Sequence, residues 1–513
     1  MACFFSKKHN SVHVEDLAYK LSDDGSYYIV AGIGSCKKLD LTVPSEFRGK
    51  PVKVIGKDAF KGTKIKSIKI SEGIEEIDRE AFYSCEWLKA ISIPESVKSI
   101  GEGAFYKCEG LKKVTVTSAK AWLTIKLEDY YSTPLCYNAE LLVNGMPFFE
   151  ASEACQIING ETTFVIPDYV TCLNNYVFAN TSIKNVIIPP TVTELGNYAF
   201  YCCVNVEKVE IPDSVKKFGH NIFSCCKNLK KVIFPKSATV IPPYAFQFNT
   251  KLIDFDIPKS VTNIDEAAFE GCKSLKSIVL PDGLKYIKKF AFKDCGSLTS
   301  VNIPNTVEEI HAYAFSHASI ESVELSESIK LLGAHAFEGC KMKSFTLPRS
   351  IDEIPQSLLS GCVCMEELKL HNKITKIGIG AFYGCVLLKE IVLDCPITKL
   401  EPFTFSSCTN LEKIGLPPTL ESIGKKAFVN CAFKELSIPE RVTSIDSYAF
   451  SDCRSLTTLI LPAGIRYISP HAFSTLLQPY TPEIRFNGTL AEWNKINSSG
   501  GIRGVICTDG IAE

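Results

Sequence analysis

The 513-residue sequence lacks any apolar run approaching the roughly 18 residues of a membrane span, and it lacks a charge excess: 56 Lys and Arg oppose 57 Asp and Glu. The first absence argues against a transmembrane segment. The second removes the general basic attraction that nucleic-acid binders use, so no nucleic-acid partner is expected. Catalytic signatures are missing as well. No GxSxG elbow, GxxxxGK[ST] loop or HExxH helix occurs, the eight histidines are scattered, and neither an enzyme nor a cofactor is expected. The opening residues, MACFFSKKHNSVHVED, are without the apolar core of about 7 to 15 residues that a secretory signal needs. Cysteine is plentiful, at 22 residues, yet pairs such as Cys202/Cys203, Cys225/Cys226 and Cys362/Cys364 have no second pair at metal-ligand spacing, so no metal site is expected.

What the sequence does contain is a period. The stretch Leu275 to Ser297, LKSIVLPDGLKYIKKFAFKDCGS, recurs in pattern every 22 or 23 residues. Its Ala-Phe mark gives anchors at Phe60, Phe82 and Phe105, then at Phe178, Phe200, Phe223, Phe246, Phe269, Phe292, Phe315, Phe337, Leu359, Phe382, Phe405, Phe428, Phe450 and Phe473. A fixed period of this length is the signature of a solenoid, in which each unit buries its apolar edge against its neighbours. Within a unit, L-x-x-I-x-L alternates as a short strand does, and the following proline stops the ladder because it has no N–H. The Phe-Ala-Phe-x-x-Cys stretch then predicts one helical or 3₁₀ turn. Twelve cysteines, from Cys85 to Cys453, lie three residues after an anchor and form one inward column. Parallel Cβ directions disfavour bridges within such a column, so free buried thiols are expected.

Taken in order, residues 1–16 read as a mobile leader, and 17–56 as a β-hairpin cap turning at Asp23-Asp24-Gly25. Residues 57–116 carry the first repeats, 117–164 an irregular aromatic insert or degenerate repeats, 165–475 the main array and 476–513 a C-terminal cap. The insert concentrates Trp122, Tyr130, Tyr131, Tyr137, Phe148 and Phe149 and has a hairpin turn at Asn144-Gly145. Those aromatics either expose a binding surface or fill the core of degenerate coils. In the C-terminal segment, Thr489 and Glu492 are spaced as a capping box for a helix around Trp493.

The units IPESVKSIGEGAFYKCEGL from Ile93, IPNTVEEIHAYAFSHASI from Ile303 and IPERVTSIDSYAFSDCRSL from Ile438 resemble the BspA-type class of leucine-rich repeats over roughly residues 40 to 475. The resemblance implies an α/β solenoid: a right-handed superhelix with a parallel β-sheet on one face, short helical or 3₁₀ turns opposite and non-repeat caps at both ends. It also implies a bacterial or protist surface protein associated with adhesion, with bacteria the first expectation. The cysteine column then occupies the Asn/Cys position of such repeats. An export signal and an LPxTG-like sorting tail are not visible in the sequence, so a cytoplasmic location stands as the alternative.

Specificity is expected at the outward x positions of L-x-x-I-x-L. Early repeats place Lys66, Lys69, Lys89, Lys112, Lys113, Lys184, Lys230 and Lys231 there, and later ones Asp254, Asp256, Glu321, Glu324, Glu366, Glu367, Glu390 and Glu412. Such polarity either orients a protein partner, on a host or neighbouring cell, or merely keeps a long sheet soluble. No Trp, Tyr or Phe stands at these positions, which demotes carbohydrate and single-stranded nucleic acid as ligands of the face. Carbohydrate bound by Trp122, Tyr130 and Tyr131 is the second reading, and an intracellular scaffold rich in free thiols the third.

Overall fold

The computed structural model describes residues 11–14, 17–474, 482–496 and 504–512. The chain is a β-solenoid of about 20 turns with parallel sheets and few helices. It divides into two units, Met1–Ala238 with Pro242–Leu252, and Thr239–Ile241 with Ile253–Glu513.

In the first unit the L-x-x-I-x-L segments form parallel strands at Asp40–Val43, Ser67–Ile70, Ala90–Ile93, Lys113–Val116 and Glu140–Val143. Registry follows the repeat, with Ser67 opposite Ala90 and Ala90 opposite Lys113. Apolar residues point inward at alternate positions, as in Ile91 and Ile93, while their neighbours face out. The proline that ends the strand opens a β-turn closed by its own carbonyl, Val97 N–H to Pro94 O at 3.3 Å. A second strand follows, which the sequence reading missed. Glu76–Ile77, Ser99–Ile100 and Lys126–Leu127 pair in parallel and make a second ladder. The second unit repeats the arrangement, for example Ser277–Val279 beside Ser300–Asn302 and Tyr286–Ile287 beside Glu309–Ile310.

The expected helical or 3₁₀ turn on the remaining side is corrected. Around Phe292 the backbone is a chain of turns in which Phe290 and Asp294 have φ of 62° and 58°. Left-handed residues four apart break any helix, and alternate amides bond the next coil instead: Phe290 N to Ala312 O at 3.1 Å, Phe292 N to Ala314 O at 2.8 Å, Asp294 N to Ser316 O at 2.9 Å. Each left-handed non-glycine residue costs roughly 1–2 kcal/mol, and this third ladder offsets that cost by satisfying donors that a buried turn would otherwise orphan. Glycine relieves the constraint at Gly380, where φ is 59°. At Gly378 a Cβ would lie 2.6 Å from the backbone nitrogen of Gln356, so the Gly-Ile-Gly stretch serves coil packing rather than a phosphate loop.

Inside the coils the anchors stack face to face. Phe60, Phe82 and Phe105 lie 5.3 and 5.2 Å apart in the first unit, and Phe269, Phe292, Phe315 and Phe337 are 5.4, 5.3 and 5.5 Å apart in the second. Beside them runs the cysteine column. Cys85 donates its thiol proton to Phe60 O at 2.9 Å and Cys203 to Phe178 O at 3.0 Å. In the second unit Cys295 donates to Phe269 O at 3.2 Å, Cys385 to Leu359 O at 3.4 Å and Cys453 to Phe428 O at 3.0 Å. Each thiol thus satisfies the anchor carbonyl of the preceding coil. All described cysteines are free thiols. Leucine at position 295, which is wholly buried, is expected to overpack the turn and cost about 1–3 kcal/mol. Urea unfolding of Cys295→Leu checks this, and a midpoint equal to the parent's would show that the column tolerates bulk.

Of the expected leader, residues 1–10, 15 and 16 lie outside the described residues, and Ser11–Val14 is a strand paired antiparallel with Leu17–Leu21. The hairpin at Asp23-Asp24-Gly25 joins Leu17–Leu21 to Tyr28–Gly32. Ser22 and Ser26 hold the Asp24 carboxyl down to about 2. Near the end, Glu492 accepts from the Thr489 amide at 2.8 Å and Thr489 Oγ1 accepts from the Glu492 amide at 3.3 Å. This capping box starts the helix Leu490–Ile496, whose Trp493 is buried beside Phe486. Residue 475, the last of the expected main array, and residues 476–481, 497–503 and 513 of the expected C-terminal cap lie outside the described residues.

Candidate functional site

The strand faces carry the candidate residues outward. In the first unit Lys66, Lys69, Lys89, Lys112, Lys113, Lys184, Lys230 and Lys231 are all exposed. Two of them are already engaged: Lys184 pairs with Glu161 at 3.3 Å and Lys230 with Glu207 at 2.8 Å. Asn185 and Lys184 hold the Glu161 carboxyl below its usual value, and Lys230 does the same for Glu207. Among the described residues no carboxylate pairs with Lys112, Lys113 or Lys231. Lys231 stands directly opposite Lys208 on the neighbouring strand, so the two cations reinforce one another.

In the second unit Asp254, Asp256, Glu321, Glu324, Glu366, Glu367, Glu390 and Glu412 are exposed in turn. The structure places Lys389 and Lys413 among them, beside Leu387, around a shallow depression of about 580 Å³ that Glu366, Glu390 and Glu412 also line. Glu390 faces Lys413 across the parallel pair. This part of the face is therefore mixed in sign, not acidic. The positions were readable; the alternation of Lys and Glu from one coil to the next emerges only when the coils are set in register.

Exposed apolar side chains on the faces are few and separate. Ile187 and Ile233 are half-exposed in the first unit, while Val279 at 79% and Val392 at 72% stand nearly free in the second. Large aromatics are absent from those strands, but Trp87, 54% exposed in the turn preceding Ala90–Ile93, was passed over by the sequence reading. Its signal was its departure from the repeat: the position before the buried Leu88 is polar or small in most coils.

The insert resolves into hidden coil. Lys126–Leu127 continues the second ladder, Glu140–Val143 continues the strand face, and Tyr131 O accepts from Phe105 N at 2.8 Å as the next coil's alanine does elsewhere. A short helix, Ala119–Leu123, is capped by Ser118, and the Asn144-Gly145 turn has φ of 51° and 82°, the pair that a type I′ hairpin requires. An identical turn at Asn159-Gly160 joins Cys155–Ile158 to Glu161–Val165 and restarts the sheet; its Asn-Gly signal was in the sequence and went unread.

Of the two readings of the insert, Trp122 takes the core one, which removes it from the candidate binding residues. It is 1% exposed, and its Nε1–H donates to Val177 O at 2.7 Å, fastening the short helix to the coil beyond the interruption. Tyr130 and Tyr131 are brought together, with ring centroids 5.2 Å apart. Tyr130 is half-buried, its hydroxyl donates to Cys136 O at 3.1 Å and accepts from Asn180 Nδ2 at 3.1 Å, and burial pushes its phenol up. It lines a cavity of about 610 Å³ with Asn138, Glu140, Asn180, Asn205 and Lys227. Among the described residues, no three His, Cys, Asp or Glu cluster to hold a metal ion, and no helix is long and apolar enough to cross a membrane.

The comparisons agree with this geometry. The family description "BspA type Leucine rich repeat region", in 6 copies, matches residues 40–133, 155–276, 239–366, 285–408 and 375–489. The chain belongs to the BspA-type leucine-rich repeat family. Among solved structures it is similar to a leucine-rich repeat protein of Bacteroides ovatus, at 21% identity over 95% of this chain and 98% of that one, TM-score 0.39. A leucine rich cell surface protein of Faecalibacterium prausnitzii shares 19% identity over 96% and 99%, TM-score 0.31. The pneumococcal vaccine antigen PcpA shares 19% over 93% and 98%, TM-score 0.32. A comparison with curated proteins found no match. In this BspA-type chain the frame repeated from coil to coil is the anchor, the cysteine and the three ladders, so what is individual lies in the outward residues and around Tyr130.

Proposed function

We propose that this BspA-type chain is a non-enzymatic protein-binding solenoid whose contact surface is the strand face, in an adhesive or host-interacting role on a bacterial surface. The observation that carries the reading is the exposed cationic set Lys112, Lys113 and Lys231, displayed on in-register strands and engaged in no ion pair among the described residues, although Glu140 stands across from Lys113. Rigid display lowers the entropy of association, and charge complementarity sets register and on-rate. Right-handed winding, with the terminal hairpins and the Trp493 helix covering the end coils, belongs to the same reading.

The test exchanges Lys112, Lys113 and Lys231 for Glu together and measures capture of surface proteins from host or neighbouring cells. About tenfold weaker capture at low salt is expected, with unchanged melting, and the difference shrinks at high salt. A partner that binds parent and variant equally at both salt levels overturns the charged-face reading. Protease added to intact cells tests the location, since a cytoplasmic scaffold, the reading favoured by free thiols, would be spared.

A second reading, a carbohydrate site, rests on the cavity beside Tyr130, where amide side chains of Asn138, Asn180 and Asn205 converge near aromatic rings. A glycan array with parent and Tyr130→Ala tests it. Loss of a salt-resistant glycan signal in the variant supports it, and no such signal from the parent ends it.

A further inference from the structure

Twelve of the 22 cysteines serve the buried column, and two of the others stand side by side. Cys202 and Cys225 occupy the equivalent position one residue before the column on successive coils, immediately ahead of Cys203 and Cys226. Both lie in left-handed backbone, at φ 56° and 63°, which swings their side chains out of the core. Both are half-exposed and both open into the 610 Å³ cavity beside Tyr130, whereas Cys203 and Cys226 are fully buried with their thiols committed to Phe178 O and Phe200 O.

The third ladder brings the pair together. Cys202 N–H donates to Ser224 O at 2.9 Å, and that carbonyl belongs to the peptide that continues into Cys225. The two residues are thus direct neighbours at the coil spacing of about 4.8 Å, within the roughly 4.4–6.8 Å over which Cα atoms accept a disulfide; the parallel Cβ directions that oppose bridging in the column hold here too, but these half-exposed sulfurs, unlike Cys203 and Cys226, are not committed to an anchor carbonyl. Ser224 Oγ lies 3.7 Å from Cys225 Sγ. Cys202, Ser224, Tyr201 and Lys227 together outweigh burial and hold Cys225 down to about 6, while Cys202 is pushed up. The pair as a unit loses its first proton readily, which leaves one sulfur as thiolate and its neighbour bearing a proton.

We propose that Cys202 and Cys225 form a thiol–disulfide site at the mouth of this cavity, oxidised by small hydroperoxides. The Cys225 thiolate attacks the peroxide: an S–O bond forms, the O–O bond breaks and an alcohol leaves after taking up a proton, which gives a sulfenic acid. Cys202 then attacks that sulfur: the S–S bond forms, the S–O bond breaks and water leaves with the Cys202 proton. Two thiols are oxidised by two electrons and one hydroperoxide is reduced. The cavity admits the small oxidant, and the column, without exposed sulfur, stays reduced. Closing the bridge would tie the two coils that form one wall of the cavity.

The experiment treats the reduced full chain with one equivalent of tert-butyl hydroperoxide, alkylates the remaining thiols and maps the peptides by fragmentation that separates Cys202 from Cys203 and Cys225 from Cys226. A Cys202–Cys225 bridge is expected as the main product. In Cys202→Ser the sulfenic acid on Cys225 should persist and be trapped by dimedone, at least tenfold faster than at the other half-exposed thiols, Cys36, Cys155, Cys172 and Cys364. A main linkage of 203–226, or no linkage in the parent, overturns the proposal. So does dimedone labelling of Cys225 no faster than of those four thiols. The mapping in the parent decides the question even if the serine variant folds poorly.

Discussion

Phe292→Ala is expected to lower the stability of the second unit by about 3–5 kcal/mol, the usual loss when a buried phenylalanine is truncated. Phe292 is 0% exposed and lies between Phe269 and Phe315 at 5.4 and 5.3 Å, with rings within 6° of parallel. Truncation opens a cavity that neither neighbour can fill, because each is held from its other side as well and its carbonyl or amide is tied into the third ladder. Phe292→Leu should cost far less, about 1–1.5 kcal/mol, since Leu359 holds the same position, fully buried, with the Cys385 thiol on its carbonyl. Hydrogen exchange at the amides of residues 290, 292 and 294 gives the local reading. In a solenoid each coil leans on its neighbours alone, so protection should fall there and in the adjoining coils first. Equal urea midpoints for parent and Phe292→Ala would mean that the anchors mark the repeat without stabilising it.

The contrast between Phe292 and the residues around it shows what the sequence could and could not reveal. Anchor, cysteine and strand are legible because each is an apolar or small residue recurring at a fixed place, and burial imposes that recurrence. The second ladder was missed because its strands are two residues long, as at Tyr286–Ile287, too short for any alternation to show. The left-handed turns were misread as helical for a related reason. Their φ is carried by Phe, Tyr, Asp, Cys, Ser and His as often as by Gly, so no residue type announces them; the inter-coil hydrogen bonds select the conformation, and those exist only in the assembled stack. Trp122 was left open between surface and core for the opposite reason. Its length and aromaticity suit an exposed platform as well as a core, and only the Val177 carbonyl, 55 positions along, decides between them. The face charges are exposed at the expected positions, yet their pairing, Lys230 with Glu207 but Lys231 with no carboxylate among the described residues, is a property of neighbouring coils.

The column also makes the fold sensitive to alkali. Burial pushes Cys362, Cys408 and Cys453 up to about 12 from the ordinary thiol value of 9.0, and raises Cys385 and Cys431 as well. A raised folded-state value means that the folded chain keeps its protons where the unfolded chain has lost them. Stability is therefore complete below about pH 9 and falls as pH rises toward 12, by about 1.4 kcal/mol per pH unit for each such thiol. At pH 10 the three thiols near 12 together remove roughly 4 kcal/mol, comparable with the loss at Phe292. Tyrosine and lysine titrate over the same range, so the decisive measurement is a difference. Cys408→Ser keeps a donor for the Phe382 carbonyl but cannot ionise, and its urea stability should decline between pH 9 and 11 less steeply than the parent's by about one thiol's share. Parallel declines would mean that the column thiols ionise in place, which requires water to reach the Phe382 carbonyl and contradicts the buried ladder. A shallower decline for the variant ties the solenoid's stability to neutral sulfur. It also separates the column from Cys202 and Cys225, whose half-exposed sulfurs lie outside it.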